Sequence, residues 1–126
     1  VTGKEAVRTD RAPAAVGPYS QGIRSGALLF TSGQLPVEDG KLVVGDIERA
    51  TRCALANVEA ILVAGGAALS DVVKVTVYLA DMSDFAAVNA VYAETFREPF
   101  PARSCVEVSR LPLDAPILIE AVAAVA

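Results

Sequence analysis

Apolar positions set two helices into a chain otherwise made of short strands. Ile47, Ala50, Ala54, Val58, Ile61 and Leu62 recur at the spacing of one helical face. Asp46 stands where a side chain can cap the first turn, and the helix is predicted to run to about Val63. Gly65-Gly66 then stops it. Glu48 and Arg52 fall on its polar side as a supporting i,i+4 pair. A second stripe, Phe85, Val88, Tyr92 and Phe96, predicts a helix that starts between Asp81 and Asp84 and ends near Arg97. Asn89 sits on that stripe or at its edge, where a polar amide needs partners. Pro99 and Pro101 break the chain after it.

The remaining apolar segments are short and rich in β-branched residues. Leu28-Leu29-Phe30-Thr31, between Gly26 and Gly33, reads as a strand, with Tyr19 to Arg24 as its hairpin partner. Asp39-Gly40 is a tight-turn pair, followed by a short strand at Lys41 to Val44. From Val72 to Ala80 the residues alternate: Val73, Val75, Val77 and Leu79 face one way, and Lys74, Thr76 and Tyr78 the other. Two more strands are predicted at about Ala102 to Ser109 and Ile117 to Val125. The order is strands, helix, strand, helix, strands. It predicts an α+β fold with two helices packed on one face of a mixed or antiparallel sheet.

Composition narrows the class. At 126 residues, 53% hydrophobic and 21% charged, the chain suits one globular domain spanning 1–126. Its longest charge-free apolar run, Ala121 to Ala126, is far short of the roughly 20 residues of a membrane span. The net charge of −4 disfavours binding to nucleic-acid backbone. There is no histidine, which removes the commonest metal ligand and the commonest base near neutral pH. Cys53 and Cys105 form no CxxC pair. Val1-Thr2-Gly3-Lys4-Glu5 lacks the apolar core of a secretory leader, so a cytoplasmic protein with free thiols is the expectation.

Three features carry candidate chemistry. Arg103 opens a strand after Phe100-Pro101-Ala102, and alternation puts Arg103, Cys105 and Glu107 on one side. A strand-end arginine in solvent or in a surface ion pair is the bland reading. Glu120 is the only charge after Asp114, flanked by Ile117, Leu118, Ile119, Ala121 and Val122. So continuous an apolar run predicts burial on both faces. The carboxylate then needs a partner, a raised pKa or a pocket; a buried ion pair that fixes register is the competing reading. The third feature is a pair of hydroxyl- and glycine-rich segments, Gly17-Pro18-Tyr19-Ser20-Gln21-Gly22 and Thr31-Ser32-Gly33-Gln34, which turn chemistry alone also explains.

These segments, with Asp84-Phe85, Val88-Asn89 and above all Phe100-Pro101-Ala102-Arg103-Ser104-Cys105-Val106-Glu107-Val108 running on through Leu111-Pro112 to Ile119-Glu120, resemble the RidA family of reactive enamine/imine deaminases, also called the endoribonuclease L-PSP family. The resemblance spans nearly the whole chain. It implies a fold similar to trimeric-type chorismate mutase, a homotrimer with pockets between subunits, and no cofactor or metal. The implied reaction is hydrolysis of short 2-imino acids and their 2-enamine tautomers to 2-keto acids and ammonia. Carried over residue by residue, it makes Arg103 the carboxylate clamp and Glu120 the water-positioning acid/base. Tyr19, Ser32, Gly33, Asn89 and Cys105 match pocket-lining positions. The chemistry suits these groups. A guanidinium grips a carboxylate through two parallel hydrogen bonds and so fixes the plane of the reacting carbon. One carboxylate can take and return the proton that hydrolysis moves. Without histidine the usual activation of a cysteine nucleophile is missing, so Cys105 reads as pocket wall and Cys53 as a small packing residue. The alternative functions are a non-catalytic module that binds a small carboxylate metabolite, and RNA cleavage, which the acidic composition and missing stacking motif disfavour.

Overall fold

A computed structural model describes residues 3–125. Val1 and Thr2 of the segment read for a leader, and Ala126 of the terminal apolar run, lie outside the described residues. In chain order the elements are β1 (Glu5–Val7), β2 (Gly22–Ser25), β3 (Leu28–Thr31), β4 (Val37–Glu38), β5 (Lys41–Leu42), α1 (Ile47–Ala64), β6 (Val72–Leu79), α2 (Phe85–Thr95), β7 (Ala102–Glu107) and β8 (Ile117–Ala124). Six strands form one sheet in the order β1-β2-β3-β8-β6-β7, and β4 pairs with β5 apart from it. β6 and β7 are parallel; β8 runs antiparallel to β6 and to β3. The sheet is therefore mixed, and α2 supplies the crossover that a parallel pair requires.

Both helices lie on one face of this sheet, as expected. Leu29, Val75, Val77, Leu79, Ile117, Ile119 and Ala123 are fully buried beneath Ala50, Ala54, Val58, Ile61 and Leu62 of α1 and Val88 and Val91 of α2. The Asp46 carboxylate caps α1 by accepting from the Arg49 N–H at 3.1 Å. Beyond the other end, Gly66 takes φ +91°, a turn that favours glycine. A Cβ on Gly65 would stand 2.7 Å from Leu29, so α1 meets β3 this closely only with glycine there. The β4–β5 hairpin turns at Asp39 and Gly40, both at positive φ, as an Asp-Gly turn demands.

Several boundaries differ from expectation for identifiable reasons. The hairpin partner of β3 is only Gly22–Ser25, because Gln21 is buried and committed to the preceding loop. Its Oε1 accepts from the Thr9 N–H, and its Nε2 donates to the carbonyls of Thr9, Ala12 and Pro13. β1, three residues long, is too short to leave a periodic signal. In β6 a register irregularity between Val72 and Lys74 turns Val73 outward, and Val72 takes the buried place. α2 begins later and ends earlier than predicted. A 3-10 turn at Met82–Asp84 precedes it, and Phe96 is already extended.

The main correction concerns β8. Its apolar run does not bury both faces. Ile117, Ile119, Ala121 and Ala123 are buried, whereas Leu118, Glu120 and Val122 are half-buried on the other side. The helices cover one face only, and in the single chain the other face is bare. Exposed Leu28 and Phe30 lie beside Ala124 and Val122 on that face.

Candidate active site

Arg103 is the second residue of the edge strand β7, at the register of Val75, so its side chain leaves the sheet on the helix side. α2 lies above it. The Arg103 Nη1 donates to Asn89 Oδ1 at 2.7 Å. Its Cζ stands 4.7 Å from the Tyr92 ring centroid and 5.6 Å from that of Phe85. No carboxylate among the described residues pairs with it. Neither form of the bland reading fits: Arg103 forms no ion pair among the described residues, and it is half-buried rather than free in solvent. A half-buried guanidinium balanced only by aromatic faces and a neutral amide retains its attraction for an anion. It opens on a cleft of about 450 Å3 lined by Asn89, Tyr92, Ala93, Phe100, Pro101 and Arg103.

Cys105 lies two residues along the same strand, half-buried against the core. Burial pushes its thiol up from the ordinary value, and the opposing pull of Arg103 is smaller. At neutral pH it is a protonated thiol rather than a thiolate. Burial likewise raises the Tyr92 phenol against the pull of Arg103. Glu107, the third residue of this side, is spent on α2's entry, accepting from the Met82 N–H at 2.7 Å.

Glu120 has a different setting. It pairs in register with Thr76, on the face away from the helices. It is half-buried and forms no salt bridge among the described residues, so the register-fixing ion pair is absent. The partial exposure leaves it solvated, which answers the need raised by the sequence. The Ala121 N–H next to it donates to Thr31 Oγ1 at 3.1 Å, tying β8 to the last residue of β3, just before the loop. In that loop the Ser32 N–H donates to the Gln21 carbonyl at 2.8 Å and the Ser32 hydroxyl donates to the Ser20 carbonyl. Gly33 packs against Leu118, where a Cβ would meet the leucine at 2.5 Å. Tyr19, next to Ser20, is exposed and lines a recess of about 400 Å3.

The seven residues singled out in the sequence therefore form two groups. Asn89, Arg103 and Cys105 share the helix-side edge. Ser32 and Gly33 flank the strand of Glu120, with Tyr19 on the adjoining loop. The sheet itself separates Arg103 from Glu120, so the two do not meet in one cleft within one chain. Sequence reasoning missed Phe85 and Tyr92 as site residues, reading them only as core stripe. The signal was their i and i+7 spacing around the polar Asn89 at i+4. A larger cavity, about 640 Å3, lies elsewhere, between the 10–16 loop and α1. Its Asn57 amide is already committed to the Leu35 and Val37 carbonyls. Burial also raises the Cys53 thiol there, in keeping with a packing role. No group of three His, Cys, Asp or Glu side chains among the described residues is placed to hold a metal. No helix among the described residues is long and apolar enough to cross a membrane.

An arginine with no carboxylate partner among the described residues, at the edge of an α+β scaffold with one bare sheet face, is a site suited to a small anion. The sequence profile described as Endoribonuclease L-PSP matches residues 9–125, and the chain belongs to that family, the RidA family of the sequence resemblance. A RutC family protein of Pyrococcus horikoshii is 56% identical over 122 residues, 95% of this chain and 97% of that protein. The 2-iminobutanoate/2-iminopropanoate deaminase of Salmonella typhimurium is 50% identical over 121 residues, covering 93% and 94%. Among solved structures, Escherichia coli TdcF with bound serine superposes with a TM-score of 0.91 at 44% identity, over 97% of this chain and 99% of that one.

Proposed function

We propose that this chain is a hydrolase that deaminates 2-imino acids and their 2-enamine tautomers to 2-keto acids and ammonia. The observation that carries the reading is the Arg103 seat, a guanidinium held by neutral groups with no anion of its own. The Salmonella relative, named for two such substrates, supports it. So does the serine-bound TdcF, since serine carries a carboxylate beside a nitrogen-bearing carbon as a 2-imino acid does.

In this reading Arg103 grips the carboxylate with two parallel hydrogen bonds and fixes the plane of the C=N carbon. Glu120 takes a proton from water as the oxygen attacks that carbon, then gives it to the nitrogen. With the imine entering protonated, the C–N bond of the resulting ammonium breaks, ammonia leaves, and the carbinol O–H proton passes back to the Glu120 carboxylate and on to ammonia, leaving the keto acid. An enamine enters the same course after protonation at its β-carbon. Cys105, Tyr19, Ser32, Gly33 and Asn89 wall the pocket, and the chemistry asks for no metal or cofactor.

Because the sheet separates Arg103 from Glu120, the reading pairs the Arg103 group of one subunit with the Glu120 group of its neighbour. The bare face carrying Leu28, Phe30, Leu118 and Val122 is the surface a second copy would cover. With the family resemblance this makes a homotrimer with three inter-subunit sites, each chain one domain. The setting is cytoplasmic removal of enamines released by pyridoxal-phosphate enzymes, with no nucleic-acid partner. Ammonia release from 2-imino acids generated in situ is the test. Turnover that vanishes with Arg103→Ala supports the reading, and carboxylate binding without ammonia would instead mark a metabolite-binding module.

A further inference from the structure

We propose that the Phe85–Asn89–Tyr92 row of α2 is a charge-neutral cradle that sets the plane of the Arg103 guanidinium, with the Tyr92 ring as its positioning residue. The inference rests on the carboxylate-clamp reading of Arg103 and extends it. The three residues fall at i, i+4 and i+7, so one helical face presents all of them to the same side chain. Each approaches the guanidinium: Asn89 Oδ1 stands 2.7 Å from Nη1, the Tyr92 ring centroid 4.7 Å from Cζ, and the Phe85 centroid 5.6 Å from it.

Neutrality is what makes this arrangement useful. A carboxylate would hold the guanidinium equally well but would cancel the charge a ligand needs. Aromatic faces and an amide oxygen hold it through quadrupole and dipole and leave its net charge available. Among the described residues the amide takes up one N–H of the fork, and other N–H groups remain for a ligand.

Tyr92 is the fixed part of the cradle. It is only 6% exposed and packs against Phe96, ring centroids 4.7 Å apart, whereas Phe85 is 36% exposed at the rim. The Tyr92 hydroxyl is buried without a hydrogen-bond partner. A buried orphan hydroxyl is destabilising. The ring, not the hydroxyl, is therefore the working group.

Tyr92→Leu and Tyr92→Phe separate the two. Two readouts apply: steady-state kcat and KM on an imino acid, and the NMR signal of the Arg103 Nε–H in ligand-free protein, assigned by its loss in Arg103→Lys. Tyr92→Leu is expected to raise KM about tenfold, the size of a partly desolvated cation–π contact, with a much smaller change in kcat. It should also remove the ring-current shift of the Arg103 signal. Tyr92→Phe should restore both. Wild-type KM and an unmoved Arg103 signal in Tyr92→Leu would overturn the proposal, as would a Tyr92→Phe variant as impaired as Tyr92→Leu. Phe85→Leu, at the rim, should move both readouts the same way by less, and it serves if Tyr92→Leu does not fold. Wild-type protein that releases no ammonia would overturn the deaminase reading instead, and the Arg103 signal then decides the cradle alone.

Discussion

Arg103 and Glu120 stand on opposite faces of one sheet: Arg103 shares its register with Val75 beneath the helices, and Glu120 shares its register with Thr76 on the bare side. A reaction that uses both groups needs two chains. The division of labour also predicts different phenotypes. Arg103→Ala should abolish turnover of a 2-imino acid. Glu120→Gln should leave KM near wild type and lower kcat by about 10²–10⁴-fold, the usual worth of a positioned proton-transfer group. Steady-state kinetics check both, and a fully active Arg103→Ala would contradict the assignment.

Cys105 should prove dispensable as a nucleophile. Its thiol is raised by burial, so at neutral pH it is protonated and slow to alkylate, and its reaction should accelerate only above the ordinary thiol range. Cys105→Ser should keep most of the deaminase activity. An inactive serine variant, or rapid labelling of Cys105 at neutral pH, would restore a covalent role.

Gly65→Ala should destabilise the fold by about 1–3 kcal/mol, the usual cost of overpacking. The new methyl would press on the side chain of the fully buried Leu29, which would have to shift within the core. Urea denaturation of the two proteins measures the difference.

The entry to α2 should weaken in acid. The Asp81 carboxylate accepts from the Ser83 hydroxyl at 2.7 Å and from its N–H at 2.9 Å, which holds its pKa below the ordinary value. A group depressed in the folded state contributes stability above its unfolded pKa and loses it as pH falls through the folded one. The Tm deficit of Asp81→Ala should thus be present at neutral pH and shrink as the pH is lowered into the strongly acid range.

Much of this was legible in the sequence because local rules and tertiary packing agree. The face of α1, its Asp46 cap, its stop at Gly65-Gly66 and the Asp39-Gly40 turn all emerge where periodicity and turn chemistry place them. The α+β arrangement follows from their order. What was not legible depends on long-range commitments. Gln21 shortens β2 through bonds to the 9–13 segment, and the irregularity after Val72 turns Val73 outward. The apolar run of β8 records a face that the single chain leaves uncovered, which a sequence cannot tell from burial within its own core. Residue types singled out Arg103 and Glu120 as candidates, but only the register shows that they diverge. The second use of Phe85 and Tyr92 was hidden because an aromatic stripe on a helix reads first as core.

Subunit mixing tests the central claim most directly. Arg103→Ala and Glu120→Gln proteins, each of low activity, are unfolded together and refolded as a one-to-one mixture. If each site takes its arginine from one subunit and its glutamate from the next, about a quarter of the sites in a random mixture carry both wild-type groups, and ammonia release should recover to about that fraction. Recovery no greater than the average of the two parent variants would contradict a site shared between chains.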